Sequence, residues 1–139
     1  MMTDVGAAVR TYFERTAPAG VRSAYLFGSH GRGTAHRESD VDVGVVFDRV
    51  TFPDRGARGR AAERLATGLI GATHQNAVDV VSLDDASPEL VAAVVSGPRV
   101  YCRDPEGDHA FVRTALLRLG DLRPFLDRTR RLKLEVLRQ

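Results

Sequence analysis

The chain of 139 residues contains no tryptophan, a single lysine (Lys133) and a single cysteine (Cys102). One cysteine excludes an internal disulfide and any zinc site built from several cysteines. Sparse cysteine also fits a reducing compartment, so a cytoplasmic location is the expectation. Aromatic residues make up only 6% of the chain, which leaves few stacking platforms for bases and counts against direct nucleic-acid binding. No apolar run approaches the ~20 residues of a membrane span, so no membrane partner is expected. The N-terminal stretch MMTDVGAAVR has neither a basic start nor an apolar core and does not read as a secretory signal.

What is present is a globular composition, 43% hydrophobic and 27% charged, at a length that fits one domain over residues 1–139. Charge is unevenly distributed. Residues 1–110 carry 12 arginines against 15 acidic side chains, whereas residues 111–139 carry 8 basic against 3 acidic ones. A basic tail can attract nucleic acid or an acidic protein surface, although a solvated helix face is the simpler account of such a run.

Helical spacing of Val5, Ala8, Val9, Tyr12 and Phe13 predicts a first helix ended by Pro18-Ala19-Gly20. VRSAYLF (21–27) predicts a strand running into Gly28-Ser29, and the polar, glycine-rich 30–38 predicts a short helical turn and a loop. DVDVGVVF (40–47) predicts a strand with Val41, Val43 and Val45 on one face. A helix is expected over 53–71 with Ala61, Leu65, Leu69 and Ile70 inward, despite three glycines. AVDVVSL (77–83) predicts a strand, Ser87-Pro88-Glu89 starts a helix running to about Ser96, and RVYC (99–102) predicts a fourth strand. Asp104-Pro105-Glu106 opens a helical tail that Gly120 and Pro124 should split in two. The fold class is therefore α+β, a small mixed β-sheet flanked by helices, with a core at about 20–104 and a C-terminal helical tail at about 105–139.

Three features carry chemistry: Gly28-Ser29 at a strand end, Asp40-Val41-Asp42 at the start of the next strand with ten residues between Ser29 and Asp40, and Asp79 inside an apolar strand. Residues i and i+2 of a strand share a face. Two carboxylates so placed repel unless a cation sits between them, and Mg²⁺ favours carboxylate and phosphate oxygens. A lone charge in a buried strand is costly unless it is paired or bound to metal. If the two strands are neighbours, three carboxylates converge, as two-metal phosphoryl transfer requires. Gly28 would let a backbone approach a phosphate, Ser29 and the following turn offer anion-binding groups, and Arg32 can neutralise phosphate charge. An EF-hand-type calcium loop is excluded, because the position that needs glutamate is Thr51.

LFGSHGRGTAHRESDVDVGVVF resembles the signature of the DNA polymerase β-like nucleotidyltransferases. The short length, the VDVVSL strand and the ASPELVAAVVSGPRVYCRD segment are most similar to the minimal nucleotidyltransferases, the MntA-type antitoxins. The resemblance covers about residues 20–104 well and the tail loosely. It implies a polymerase β-like fold in which Gly28 and Ser29 hold the triphosphate of ATP. Asp40 and Asp42 would ligate two Mg²⁺ ions, and Asp79 would complete the metal site and help deprotonate the attacking hydroxyl. It further implies a partner, a HEPN-type toxin (HepT), which receives AMP on a tyrosine while pyrophosphate is released. Gly31 departs from the pattern, which commonly has alanine there.

Two alternatives stand beside that reading: nucleotide transfer to a small molecule such as an aminoglycoside, and neutralisation of a toxin by contact without catalysis. Among other residues, His30 and His36 read as exposed loop histidines, Cys102 as a small buried residue of the fourth strand, and Tyr12, Tyr25 and Tyr101 as core or semi-core. Phe111, Ala115, Leu119, Leu122 and Leu126 form an intramolecular stripe. Leu132, Leu134, Val136 and Leu137 exceed what one small domain buries and suit a protein partner.

Overall fold

The structure, a computed structural model, describes residues 4–32 and 40–121, without the side chains of Ser29, Arg32 and Asp121. Ten elements follow in order: α1 (Asp4–Thr16), β1 (Val21–Phe27), α2 (Gly28–Arg32), β2 (Val41–Phe47), α3 (Arg55–Thr73), β3 (Val78–Ser82), a 3₁₀ turn (Leu83–Asp85), α4 (Pro88–Val95), β4 (Arg99–Cys102) and α5 (Pro105–Asp121). The sheet order is β3-β2-β1-β4. β1 runs antiparallel to both β2 and β4, and β2 runs parallel to β3. Parallel neighbours need a crossover, and α3 supplies it. The expected small mixed sheet flanked by helices is what the chain forms.

Alternation along β2 divides the molecule. Val41, Val43, Val45 and Phe47 join Val9 and Phe13 of α1 and Ala61, Leu65 and Leu69 of α3 in one cluster. Val46 joins Tyr25, Leu83, Val91, Val94 and Ala115 in a second cluster, on the side of α4 and α5. Side chains two apart share a face, so Asp42 points to the α4/α5 side with Val46.

Side chains cap the starts of two helices. Asp54 accepts from Ala57 N at 2.7 Å to start α3, and Ser87 accepts from Leu90 N at 3.2 Å with Pro88 at the first turn of α4. Two expectations are corrected. Ile70 is 39% exposed rather than inward, because the stripe of Ala61, Leu65 and Leu69 already fills the contact with the sheet. Gly120 does not end the tail helix, since α5 runs through it to Asp121. Pro124, His36, Leu122, Leu126 and the apolar residues beyond 130 lie outside the described residues.

Candidate active site

β1 ends at Phe27, whose register partner is Asp42 on β2. The chain then turns directly into α2 through Gly28, which has φ +68°. That left-handed conformation favours glycine. A Cβ at Gly28 would also collide with the Asp42 Oδ2 atom. Backbone strain and close approach therefore both require glycine here, and the contact joins the two halves of the predicted motif. Gly31 has a similar reason. A Cβ there would lie 2.6 Å from the Leu26 carbonyl oxygen, so the departure from alanine lets α2 pack tightly on the end of β1.

Asp79 on β3 is the register partner of Asp42 on β2. Aligned residues of adjacent strands present their side chains to the same face. The two strands are thus neighbours, as convergence of the carboxylates required. Asp40 precedes β2 and is exposed. The electrostatics agree with this clustering: burial raises the pKa of the Asp42 carboxyl, and the charges of Asp79 and then Asp40 raise it further. His30 works in the opposite direction.

Asp79 is not the buried charge that its apolar neighbours in sequence suggest. β3 is an edge strand and Asp79 is exposed, so burial of a lone charge is not what marks this residue. What marks it is its position beside a second carboxylate. His30 is corrected too. It is 3% exposed within α2, not on an open loop. Ser29 and Arg32 belong to α2, but their side chains lie outside the description.

Carboxylate oxygens that repel one another are a donor set suited to a hard divalent cation. Among the described residues no three acidic, histidine or cysteine side chains stand ready-made as a cation cage. The three aspartates instead form an open cluster at the rim of the sheet. A cleft of about 340 Å³ between α4 and α5, rimmed by Arg22, Arg49 and Arg118, contains none of the predicted site residues.

Two buried polar clusters were not anticipated. Asp108 of α5, 2% exposed, accepts from Ser23 Oγ and Tyr25 Oη, each at 2.6 Å, and from Arg99 Nη1 at 3.0 Å. Burial and the Asp108 carboxylate hold the Tyr25 hydroxyl protonated well above its ordinary range. Arg58 of α3 makes a two-pronged contact to Asp85, Nε to Oδ2 and Nη2 to Oδ1, both at 2.9 Å, and donates through Nη1 to the Phe52 carbonyl at 3.0 Å. The sequence held a signal for both. Arg58 lies at helical spacing with Ala61, Ala62, Leu65 and Leu69, and Asp108 with Phe111 and Ala115. A charge on an inward stripe needs a buried partner.

Among the described residues no helix is long and apolar enough to cross a membrane. A family model described as "Polymerase beta, Nucleotidyltransferase" matches residues 9–106. The protein adenylyltransferase MntA of Shewanella oneidensis is 36% identical over 87 residues, covering 63% of this chain and 58% of that relative. The chain thus matches less than two thirds of the length of that curated protein. A solved toxin–antitoxin complex with AMP-PNP is 25% identical, covers 95% of this chain and 98% of its own, and superposes with a TM-score of 0.62. A complex of tri-AMPylated Shewanella oneidensis HEPN toxin with MNT antitoxin shares the fold at 21% identity, covering 96% and 98% of the two chains with a TM-score of 0.61. With the family model matched across the sheet and its carboxylates, the chain belongs to the polymerase β nucleotidyltransferase family.

Proposed function

We propose that this chain is a Mg²⁺-dependent protein adenylyltransferase that works as one unit in the cytoplasm. It transfers AMP from ATP to a tyrosine of a cognate HEPN-type (HepT) toxin and so acts as its antitoxin. The observation that carries the reading is the alignment of Asp42 with Asp79 on adjacent strands, with Gly28 held against the Asp42 carboxylate. Support for the substrate and partner comes from similarity to the MntA adenylyltransferase, from the AMP-PNP complex and from the AMPylated HEPN complex.

In this reading the Gly28–Ser29 turn and Arg32 receive the triphosphate, and Asp40, Asp42 and Asp79 would hold magnesium. Magnesium, when bound, neutralises triphosphate charge and makes the acceptor hydroxyl more acidic. The mutual repulsion of the aspartates is the reason they suit it. Asp79, exposed like Asp40 but held within β3, faces the incoming acceptor and takes the phenolic proton. The tyrosyl oxygen bonds to the α-phosphorus, the bond from that phosphorus to the α,β-bridging oxygen breaks, and pyrophosphate leaves with the electron pair. A strand-held carboxylate is well placed for this because the backbone fixes its position before the acceptor arrives.

The test is to incubate the protein with a cognate HEPN-type toxin, ATP and Mg²⁺, and to read intact masses. Addition of AMP units to the partner, mapped to a tyrosine, is the expected result. An unmodified but tightly bound partner would favour neutralisation by contact. Transfer to an aminoglycoside and not to the partner would favour the small-molecule reading.

A further inference from the structure

We propose that the outer edge of β3 is the acceptor-docking site, and that the polypeptide carrying the reacting tyrosine adds to the sheet there as an extended strand. This inference rests on the transfer reading above. Among the described residues β3 ends the sheet, with β2 as its one neighbour. Val41 N donates to the Ala77 carbonyl at 3.2 Å, which fixes the pattern of this parallel ladder. Residues 77, 79 and 81 turn their N–H and C=O groups toward β2, and Val78 and Val80 turn theirs outward. Among the described residues no hydrogen bond reaches the outward groups of Val78 or Val80.

Edges of this kind are normally blunted by lysine, proline, a bulge or a covering element. The five residues VDVVS contain neither lysine nor proline, and their register with β2 runs without a shift. Their only charge is Asp79, which belongs to the carboxylate cluster. An extended segment is the one partner that satisfies alternate outward N–H and C=O groups in a row. Side chains of an added strand alternate between faces. A residue opposite Asp79 therefore presents its side chain on the same face as Asp79 and Asp42, where the transferred group must be. Charge narrows the occupant further. Three aspartates at this end disfavour acidic neighbours beside the tyrosine, so the segment is apolar or basic around its hydroxyl.

The test uses the full-length protein with the HEPN-type acceptor protein. Amide hydrogen exchange at Val78 and Val80 should slow when the acceptor binds. Val80→Pro removes one outward N–H without touching the β2 ladder. Transfer to the acceptor protein should fall roughly tenfold, about one backbone hydrogen bond, whereas affinity for AMP-PNP should not move. Val80→Thr keeps the N–H and the side-chain shape and should retain transfer. Full transfer by a folded Val80→Pro variant overturns the proposal. So does unchanged exchange at both amides in the complex, a result that stands even if the proline variant fails to fold. If wild type modifies no tyrosine at all, the transfer reading fails, and the exchange measurement still decides whether the edge binds the partner.

Discussion

Asp42 and Asp108 approach one face of the same sheet, yet the fold treats them in opposite ways. Asp108 is surrounded by donors: a serine and a tyrosine hydroxyl from β1 and a guanidinium from β4. Asp42 has two further carboxylates as its neighbours, and their charges oppose its ionisation. A buried charge is tolerated when every lone pair has a partner, and Asp108 meets that condition by tying α5 to the sheet. Asp42 is instead flanked by the exposed carboxylates of Asp40 and Asp79, which add like charge rather than donors. Under the proposed function, bound magnesium would complete that cluster. In the proposed reading, Asp108 holds the structure, whereas Asp40, Asp42 and Asp79 serve the chemistry.

The largest effect that would break this division is at the incomplete cluster. Asp42→Ala or Asp40→Ala should reduce AMP transfer by about 10³-fold or more, because metal-assisted charge stabilisation contributes several kcal/mol and each 1.36 kcal/mol is tenfold. The variant proteins should remain folded by circular dichroism. Transfer at the wild-type rate in either would remove these residues from the chemistry. Gly28→Val should come next. It places a β-branched side chain at φ +68° and against the Asp42 carboxylate. Titration with AMP-PNP and Mg²⁺ should show affinity reduced by roughly tenfold or more, since backbone strain of this kind costs about 1–3 kcal/mol. Binding as tight as wild type would dissociate the turn from the nucleotide.

The boundaries of β1 and β4 were legible in full, because Gly and Pro punctuate short β-rich runs on either side. Asp42 was legible for the same local reason, whereas the strand expected from residue 40 begins at Val41, so β2 does not carry Asp40 and Asp42 as a same-face pair. Asp79 was legible for an incomplete reason. Its sequence context suggests a buried strand, and only the sheet order makes it an edge residue beside Asp42. Sheet order is a long-range property that a window of sequence does not contain. The Arg58–Asp85 and Asp108 clusters were missed for that reason as well. Each joins elements 9 to 85 residues apart, so the charge on the helix stripe was visible but its partner was not. His30 lies in a helix of five residues, too short for periodicity to show which way it faces.

The satisfied carboxylates make the contrasting prediction, a loss of stability without a direct loss of chemistry. Arg58→Ala leaves Asp85 with the Ser82 hydroxyl, at 2.8 Å, as its remaining side-chain donor. Both side chains of the pair are largely buried, 6% and 16% exposed. Removing one partner of such a pair costs about 3 kcal/mol, measurable by urea denaturation. The hydrogen bond from Arg58 holds the Asp85 carboxyl below its ordinary range, with the Ser82 hydroxyl assisting. The pair's contribution is therefore fully present above the unfolded value of about 3.9 and is lost as pH falls through the lower folded value. Wild type and Arg58→Ala should differ most near neutrality and converge in strong acid. A constant difference across pH would mean that Arg58 acts through packing alone.

The smallest effect runs the other way. Burial, Asp79 and Asp40 raise the pKa of Asp42 in the folded protein. Between the unfolded value near 3.9 and the higher folded value, the native state binds the proton more tightly than the unfolded chain does. Stability contributed by this group therefore falls as pH climbs through that window and stays low above it. Asparagine has nearly the same shape and cannot ionise. In chelator at neutral pH, Asp42→Asn should be more stable than wild type, by less than about 1 kcal/mol because solvent screens charges at the rim of the sheet. The gain should vanish below pH ~3.9, where the aspartate is protonated in both states. It should also shrink in high salt, which weakens repulsion between exposed charges. Magnesium should reverse the order, since a ligand that binds only the folded state stabilises it and the asparagine variant has lost one of the charges that would hold the ion. A neutral-pH loss of stability in Asp42→Asn without metal would show that Asp42, like Asp108, already has the partners it needs.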